Sequence, residues 1–326
     1  MRNMRKTIVE LLKNAGDNFV SGENIAGSLG ISRTAVWKHI QKLRECGYEI
    51  LSRERSGYKL KDAPDLLLPS EIQIGLDTEI IGKEMHYFPS TDSTNHTAKA
   101  LAYHGAADGA IVVAEEQTGG KGRLNRNFYS PRGKGIWFSI IMRPKFLPHD
   151  APKCTLMAAV AVAEAMNRFN LKAAIKWPND IMFDGRKLVG ILTEITAEMG
   201  KITYVVIGIG INVNINREEF PKELQNVAAS LSEINGGEIS RVKFLRAVLE
   251  EFDKLYGEIN DSGFDGVINR WKKYNITLGK NIRVISAGDG GAIFTGKAVD
   301  LNADGALIVE TGNELRTVYA GDVSIR

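Results

Sequence analysis

Three short stretches hold the residue types best suited to chemistry. EEQTGGKGRLNRNFYSP (115–131) gathers Gly119, Gly120 and Gly122 with Lys121, Arg123 and Arg126, ahead of Phe128 and Tyr129. Glycines let backbone approach a ligand closely and cations hold negative charge, so such a loop can cradle a phosphate or a carboxylate. STDSTNHTAKA (90–100) sets Ser93, Thr94 and Asn95 in a row. Three small donor–acceptor side chains can satisfy a compact polar ring, although Asp-Ser-Thr-Asn is also an ordinary helix cap. IKWPNDIMFDGRKLVGILTE (175–194) puts Lys176 at the end of a strand, directly before Trp-Pro-Asn-Asp. A lysine beside so rigid a turn can meet a carboxylate or phosphate, or can be a plain exposed strand end. Common nucleotide loops do not fit. Arg123 follows Gly122 where a Walker loop needs Lys and then Ser or Thr, and GIGIN (208–212) lacks the third glycine of GxGxxG.

The elements that must position these stretches follow from periodicity. GAIVVAEEQ and GIWFSIIMRP read as strands flanking the basic loop, and APKCTLMAAVAVAEAMNRF reads as a buried helix. KLVGILTEITA and ITYVVIGIGINVNI are core strands around an EMGK turn, and Val242, Leu245, Val248, Leu249, Phe252 and Leu255 repeat at helical spacing. Short strand-to-strand links predict antiparallel pairing. From about residue 275, short strands and glycine turns predict a small β-barrel of SH3-like size. KDAPDLLLPSE (61–71) is a candidate linker.

The amino-terminal part has a different character. Residues 1–62 hold 12 Lys/Arg against 7 Asp/Glu, leaving 30 against 32 in the remainder of a chain whose net charge is +3. Ile8, Leu11 and Leu12 mark one helix face, and SGENIAGSLG is a capped helix closing at Gly30. A third helix starts at the Ser32 cap with Val36, Ile40 and Leu43 inward. The LGIS turn joins the last two helices as in a helix-turn-helix, and YEILSRERSGYKL adds a two-stranded wing. Ser32, Arg33, Thr34, Lys38 and His39 on the third helix, with Arg53 and Arg55 on the wing, are the candidate DNA contacts. An ordinary three-helix bundle with a solvated basic face is the alternative.

With 44% apolar and 25% charged residues, the 326-residue chain has globular composition and room for two or three domains. Cys46 and Cys154 lie far apart without Cys/His spacing, so neither a disulfide framework nor a zinc site is expected. The amphipathic start lacks a secretory pattern, and no run approaches the roughly 18 apolar residues of a membrane span. The expectation is a soluble cytoplasmic protein with no membrane partner.

DSTN (92–95), QTGGKGR (117–123), KWPND (176–180), GRKLVGILTE (185–194), IGIGINVN (207–214) and AASL (228–231) together resemble the biotin–protein ligases, in the bifunctional branch that also represses biotin genes. The resemblance covers essentially the whole chain. It implies an α+β architecture: a winged helix-turn-helix (1–62), a mixed α/β ligase domain (63–274) and an SH3-like barrel (275–326). The basic loop departs from the family's GRGRxGRxW. Lys121 replaces the first Arg, Asn125 the glycine and Phe128 the Trp, which puts ligand geometry in question. Asn tolerates a positive φ, so a tight turn at 125 is still expected.

The resemblance implies two steps. Biotin's carboxylate attacks the α-phosphate of ATP, giving biotinyl-5′-adenylate and pyrophosphate. A carrier lysine then takes the biotinyl group and releases AMP. Lys176 and Arg123 are the implied catalytic cations, and Mg²⁺ arrives on ATP without a set of protein ligands. Ser93, Thr94, Asn95, Gln117, Lys121, Gly122, Arg123 and Lys176 would hold biotin. Arg126, Phe128, Asn179, Lys187 and Asn212 would hold the nucleotide. The implied partners are a biotin carboxyl carrier protein, operator DNA and, with the adenylate bound, a second copy of the chain. A lipoate–protein ligase and a repressor with a decayed catalytic domain are the rival readings.

Overall fold

The computed structural model describes residues 4–286 and 293–325, the side chains of Asn125 and Ser286 excepted. The chain divides into two compact units between Leu76 and Asp77.

The first unit contains α1 (Met4–Asn14), α2 (Gly22–Leu29) and α3 (Arg33–Glu45). Each of the last two has a serine cap: Ser21 Oγ accepts from Asn24 N at 3.0 Å and Ser32 Oγ from Ala35 N at 3.2 Å. Gly30 ends α2 in the left-handed region at φ 67°. Ile8, Val9, Leu12, Ile25, Val36, Ile40 and Leu43 form the core with Tyr48 and Ile50. Leu11, expected inward, packs only at the margin, and Val9 takes the core position. The wing is the antiparallel pair β1 (Glu49–Arg53) and β2 (Gly57–Asp62). Val20 extends it by exchanging backbone bonds of 2.8 and 2.9 Å with Tyr58. The expected linker contains the short helix α4 (Pro69–Ile72). Its Glu71, buried at 3%, accepts from Tyr48 Oη and from Lys13 Nζ, both at 2.6 Å. Burial, then this carboxylate acceptor, pushes the Tyr48 hydroxyl well above the usual phenol range.

The second unit is built on β3 (Met85–Phe88), β4 (Ile111–Ala114), β5 (Gly135–Met142), β6 (Ala174–Lys176), β7 (Asp180–Phe183), β8 (Arg186–Glu198) and β9 (Lys201–Asn212). Their spatial order is β3-β4-β5-β9-β8-β7-β6, with β3–β4 parallel and the other pairs antiparallel, as the short links predict. The parallel pair is joined through α5 (Thr94–Tyr103), whose Ala98 and Ala102 pack on Val112, Ile141 and Val206. Strand β5 is buried along its whole length, the pattern of a central strand covered on both faces. Helices α6 (Lys153–Arg168), α7 (Leu231–Asn235), α8 (Arg241–Ser262) and α9 (Asp265–Tyr274) complete the layer. Arg241 of α8 donates from Nη1 to Glu115 Oε2 at 2.8 Å and to Gly135 O at 3.1 Å. This buried pair ties α8 to the end of β4 and the start of β5.

In the same unit, β10 (Asn281–Ser286), β11 (Ile293–Leu301), β12 (Leu307–Thr311), β13 (Glu314–Val318) and β14 (Gly321–Ile325) form an antiparallel sheet in the order β13-β12-β11-β10-β14. Ile282, Val284, Ala298, Leu301, Leu307, Val309, Val318 and Val323 are among its buried side chains.

Candidate functional site

Polar residues of α5 open the site. Ser93 caps α5 through its backbone alone, and Thr94 and Asn95 occupy its buried first turn. Thr94 donates from N at 2.8 Å and from Oγ1 at 3.1 Å to Gln117 Oε1, while Gln117 Nε2 donates to Ser130 Oγ at 3.0 Å. Asn95 Oδ1 accepts from Ser139 Oγ at 2.7 Å, and its Nδ2 donates to Leu192 O at 3.2 Å and Glu194 Oε2 at 2.9 Å. The side chains of Thr94 and Asn95 thus go to a buried network and not to a helix cap.

The floor is made of glycines, for a steric reason. A methyl at Gly208 would overlap Asn95 Oδ1 and sit 2.8 Å from its Cγ. At Gly190 and Gly210 it would sit 2.7 and 2.5 Å from the Phe128 ring. Above this floor lies a cleft of about 40 Å³ lined by Ser93, Thr94, Asn95, Gln117, Lys121, Gly122, Phe128, Asn179, Lys187 and the three glycines. Its mixed polar and apolar lining suits a small, partly apolar acid.

The basic loop folds on itself. Gly122 N donates to Arg126 O at 2.7 Å and Phe128 N to Gly120 O at 2.8 Å, with Lys121 and Asn127 paired between them. The left-handed residue at its tip is Leu124 (φ 55°), 60% exposed. The left-handed turn expected at Asn125 therefore falls one residue earlier, at Leu124. Arg123 Nη1 reaches Asn179 Oδ1 at 3.4 Å. Desolvation pulls the Arg123 guanidinium below its ordinary value, with Asp322 and Asp180 opposing. Arg126 Nη2 lies 2.8 Å from Asp322 Oδ2 of β14, so the loop reaches the carboxyl-terminal sheet.

A second cleft, about 250 Å³, is lined by Arg123, Arg126, Tyr129, Asp180, Asn212, Phe220, Ala228 and Asp322. It shares Gly122, Phe128, Asn179 and Lys187 with the first. Lys187 Nζ stands 2.6 Å from Asp180 Oδ1 and 5.8 Å above the Phe128 ring. The Lys187–Asp180 and Arg126–Asp322 contacts are ion pairs whose angles fall outside those of a hydrogen bond. Asn179 Nδ2 donates to Ile191 O at 2.8 Å and Asn212 Nδ2 to Ala229 O at 3.0 Å, so both line the cleft while pinning backbone.

Lys176 lines neither of these clefts; its backbone pairs with Asp180 across the β6–β7 hairpin. Lys187 is the lysine where they meet, at the bend where β7 turns into β8. Gly190, Gly208, Asp180 and Asp322 were not singled out from the sequence. The Gly-Ile-Gly alternation of GIGIN was a usable signal for the floor, but nothing local marks Asp322.

In the first unit, Arg33, Thr34 and Lys38 are exposed on α3, while Ser32 is engaged as the cap and His39 is half-buried. Arg53 stacks 4.5 Å over the Phe19 ring, and Arg55 sits in the wing turn at φ 61°. Among the described residues no group of three or more His, Cys, Asp or Glu could hold a metal ion. No helix among them is long and apolar enough to cross a membrane.

Residues 87–212 match the Biotin/lipoate A/B protein ligase family, residues 5–59 an HTH domain and residues 277–326 the Biotin protein ligase C terminal domain. The "Bifunctional ligase/repressor BirA" of Bacillus spizizenii is 41% identical over 323 residues, covering 99% of this chain and 98% of that relative. The chain belongs to the bifunctional biotin–protein ligase/repressor family. The family member of Escherichia coli is 31% identical, with 98% of this chain and 96% of the relative covered. A biotin protein ligase from Aquifex aeolicus, solved in complex with biotin and ATP, superposes with a TM-score of 0.65. It is 28% identical and covers 75% of this chain and 99% of its own.

Proposed function

We propose that this chain is a biotin–[acetyl-CoA-carboxylase] ligase that forms biotinyl-5′-adenylate from biotin and ATP and transfers the biotinyl group to a carrier lysine, and that it represses biotin genes when the adenylate is bound. The observation that carries the reading is the meeting of a small cleft and a larger one at Lys187. Biotin occupies the first, its ureido ring against Ser93, Thr94 and Gln117, with Asn95 behind. The nucleotide occupies the second, with Phe128, Arg126, Asn179 and Asn212 around it.

Adenylation brings a carboxylate up to a polyphosphate, so it needs positive charge in place before reaction. Lys187, which lines both clefts, supplies this charge, and Arg123 and Lys121 add charge from the loop. The carboxylate oxygen bonds to the α-phosphorus as pyrophosphate leaves. In the second step the carrier's neutral ε-amine attacks the acyl carbon and AMP departs. The loop over the mixed anhydride keeps water away. Mg²⁺ accompanies ATP as part of the substrate, and Asp180, which lines the second cleft, would supply one of the one or two carboxylates such an ion takes beside phosphates once its Lys187 contact is exchanged. Charge neutralisation of the phosphates is what it would supply.

The functional division we propose is residues 1–62 for operator DNA, 63–274 for ligation and 275–326 as the carboxyl-terminal domain. The partners are a biotin carboxyl carrier protein, operator DNA and a second copy of the adenylate-bound chain, in the cytoplasm. The test is incubation with ATP, Mg²⁺, labelled biotin and a carrier domain. Label must appear on the carrier and depend on ATP; lipoate in place of biotin must not support pyrophosphate exchange.

A further inference from the structure

Trp37 is 52% exposed on the outer face of α3, one turn beyond Arg33 and beside Lys38. The opposite face carries the buried Val36, Ile40 and Leu43, so the fold does not use this ring. Its one polar atom is already engaged. With the Gln41 amide oriented to satisfy both its atoms, Oε1 accepts from Trp37 Nε1 at 3.2 Å and from Arg44 Nη1 at 3.1 Å. Arg44 in turn donates from Nε at 3.1 Å and from Nη2 at 2.6 Å to Ile50 O of the wing. This relay holds the indole in place and leaves carbon as the surface it offers outward. Lys42 pairs with Glu45 at 2.7 Å, whereas Arg33 and Lys38 have no ion pair among the described residues.

We infer that Trp37 reads the C5-methyl group of a thymine in the major groove of the DNA that α3 enters. The inference rests on the repressor reading and names the group that gives it sequence preference. Residues on the first turns of a recognition helix meet base edges. The thymine methyl is the apolar group those edges present. An indole whose N–H is engaged offers no donor to a base, but it can cover a methyl. Duplex DNA is the occupant, not a second copy, because the ring is flanked by unpaired cations that would repel their counterparts across a contact between copies.

The experiment uses the full chain with biotin, ATP and Mg²⁺, and a duplex enriched by that protein from a randomised pool. Each thymine of the enriched duplex is then replaced singly by deoxyuridine. One position per half-site should weaken binding about fourfold, and about fifteenfold when both half-sites are changed, as expected for one buried carbon each. Trp37→Ala should bind the thymine duplex more weakly and lose the distinction at that position, while Trp37→Phe keeps part of it. Both should ligate biotin like the wild type. If Trp37→Ala binds no DNA, the deoxyuridine scans of the wild type and of Trp37→Phe decide. Salt-sensitive binding that ignores every methyl, or a Trp37→Ala protein that still distinguishes thymine, would overturn the inference and leave the repressor intact. A pool that yields no enriched duplex would remove the repressor reading itself.

Discussion

Replacing Gly208 by alanine tests whether the floor of the small cleft is built around Asn95. The new methyl would overlap Asn95 Oδ1 and crowd its Cγ at 2.8 Å. Asn95 cannot back away, because it lies on the first turn of α5, whose Ala98 and Ala102 are packed on Val112, Ile141 and Val206. The side chain must therefore swing out and give up its bonds with Ser139, Leu192 and Glu194. At about 1 kcal/mol net for each, the loss is about 3 kcal/mol. For a unit of this size that lowers Tm by roughly 6–12 °C. Because Thr94 and Gln117 share the network, the KM for biotin should rise while the KM for ATP changes less. Thermal unfolding and initial-rate kinetics measure both. Gly237→Ala, where nothing lies within 4 Å and φ is ordinary, is the matched control and should behave as wild type. If Gly208→Ala melted with that control and kept wild-type biotin kinetics, the steric argument for the floor would be wrong.

Lys187→Ala should slow adenylation about 100–1000-fold, the range for one preorganised transition-state charge, when pyrophosphate release is followed in a single turnover. Lys176→Ala should do far less; the reverse order would return the role to Lys176. Arg126→Ala and Asp322→Asn should each raise the KM for ATP, and the double variant should be no worse than the poorer single one, since both remove the same contact. Deleting residues 1–62 should abolish DNA binding but leave ligation, measured by gel shift and label transfer. Cys46 should alkylate in the native protein while Cys154 stays protected until unfolding, because complete burial pushes its thiol far above the usual range. Mass spectrometry of the two peptides would decide it.

Much of this architecture was legible from periodicity and caps. Ser21, Gly30 and Ser32 announce the helix ends of the first unit by chemistry that acts within a few residues. The β8–β9 pair was equally readable, since its apolar run is long and its turn short. The short strands β6 and β7 carry too few residues for a period. Lys176 looked poised because it precedes Trp-Pro, yet the hairpin that follows turns the chain so that Lys187 meets the shared edge of the clefts. Asp322 was invisible for another reason: its meeting with Arg126 joins residues far apart in the chain, and local pattern says nothing of such contacts.

That contact also bears on the order in which the protein is made. Arg126 leaves the ribosome long before Asp322, and β10 must wait for β14 to pair along its second edge. The nucleotide cleft is therefore unfinished throughout most of synthesis. A nascent or prematurely ended chain can own the glycine floor and the polar ring and still lack one wall of the second cleft. On the proposed reading, fragments ended before β14 should form the acyl-adenylate poorly, because Asp322 of that wall is missing.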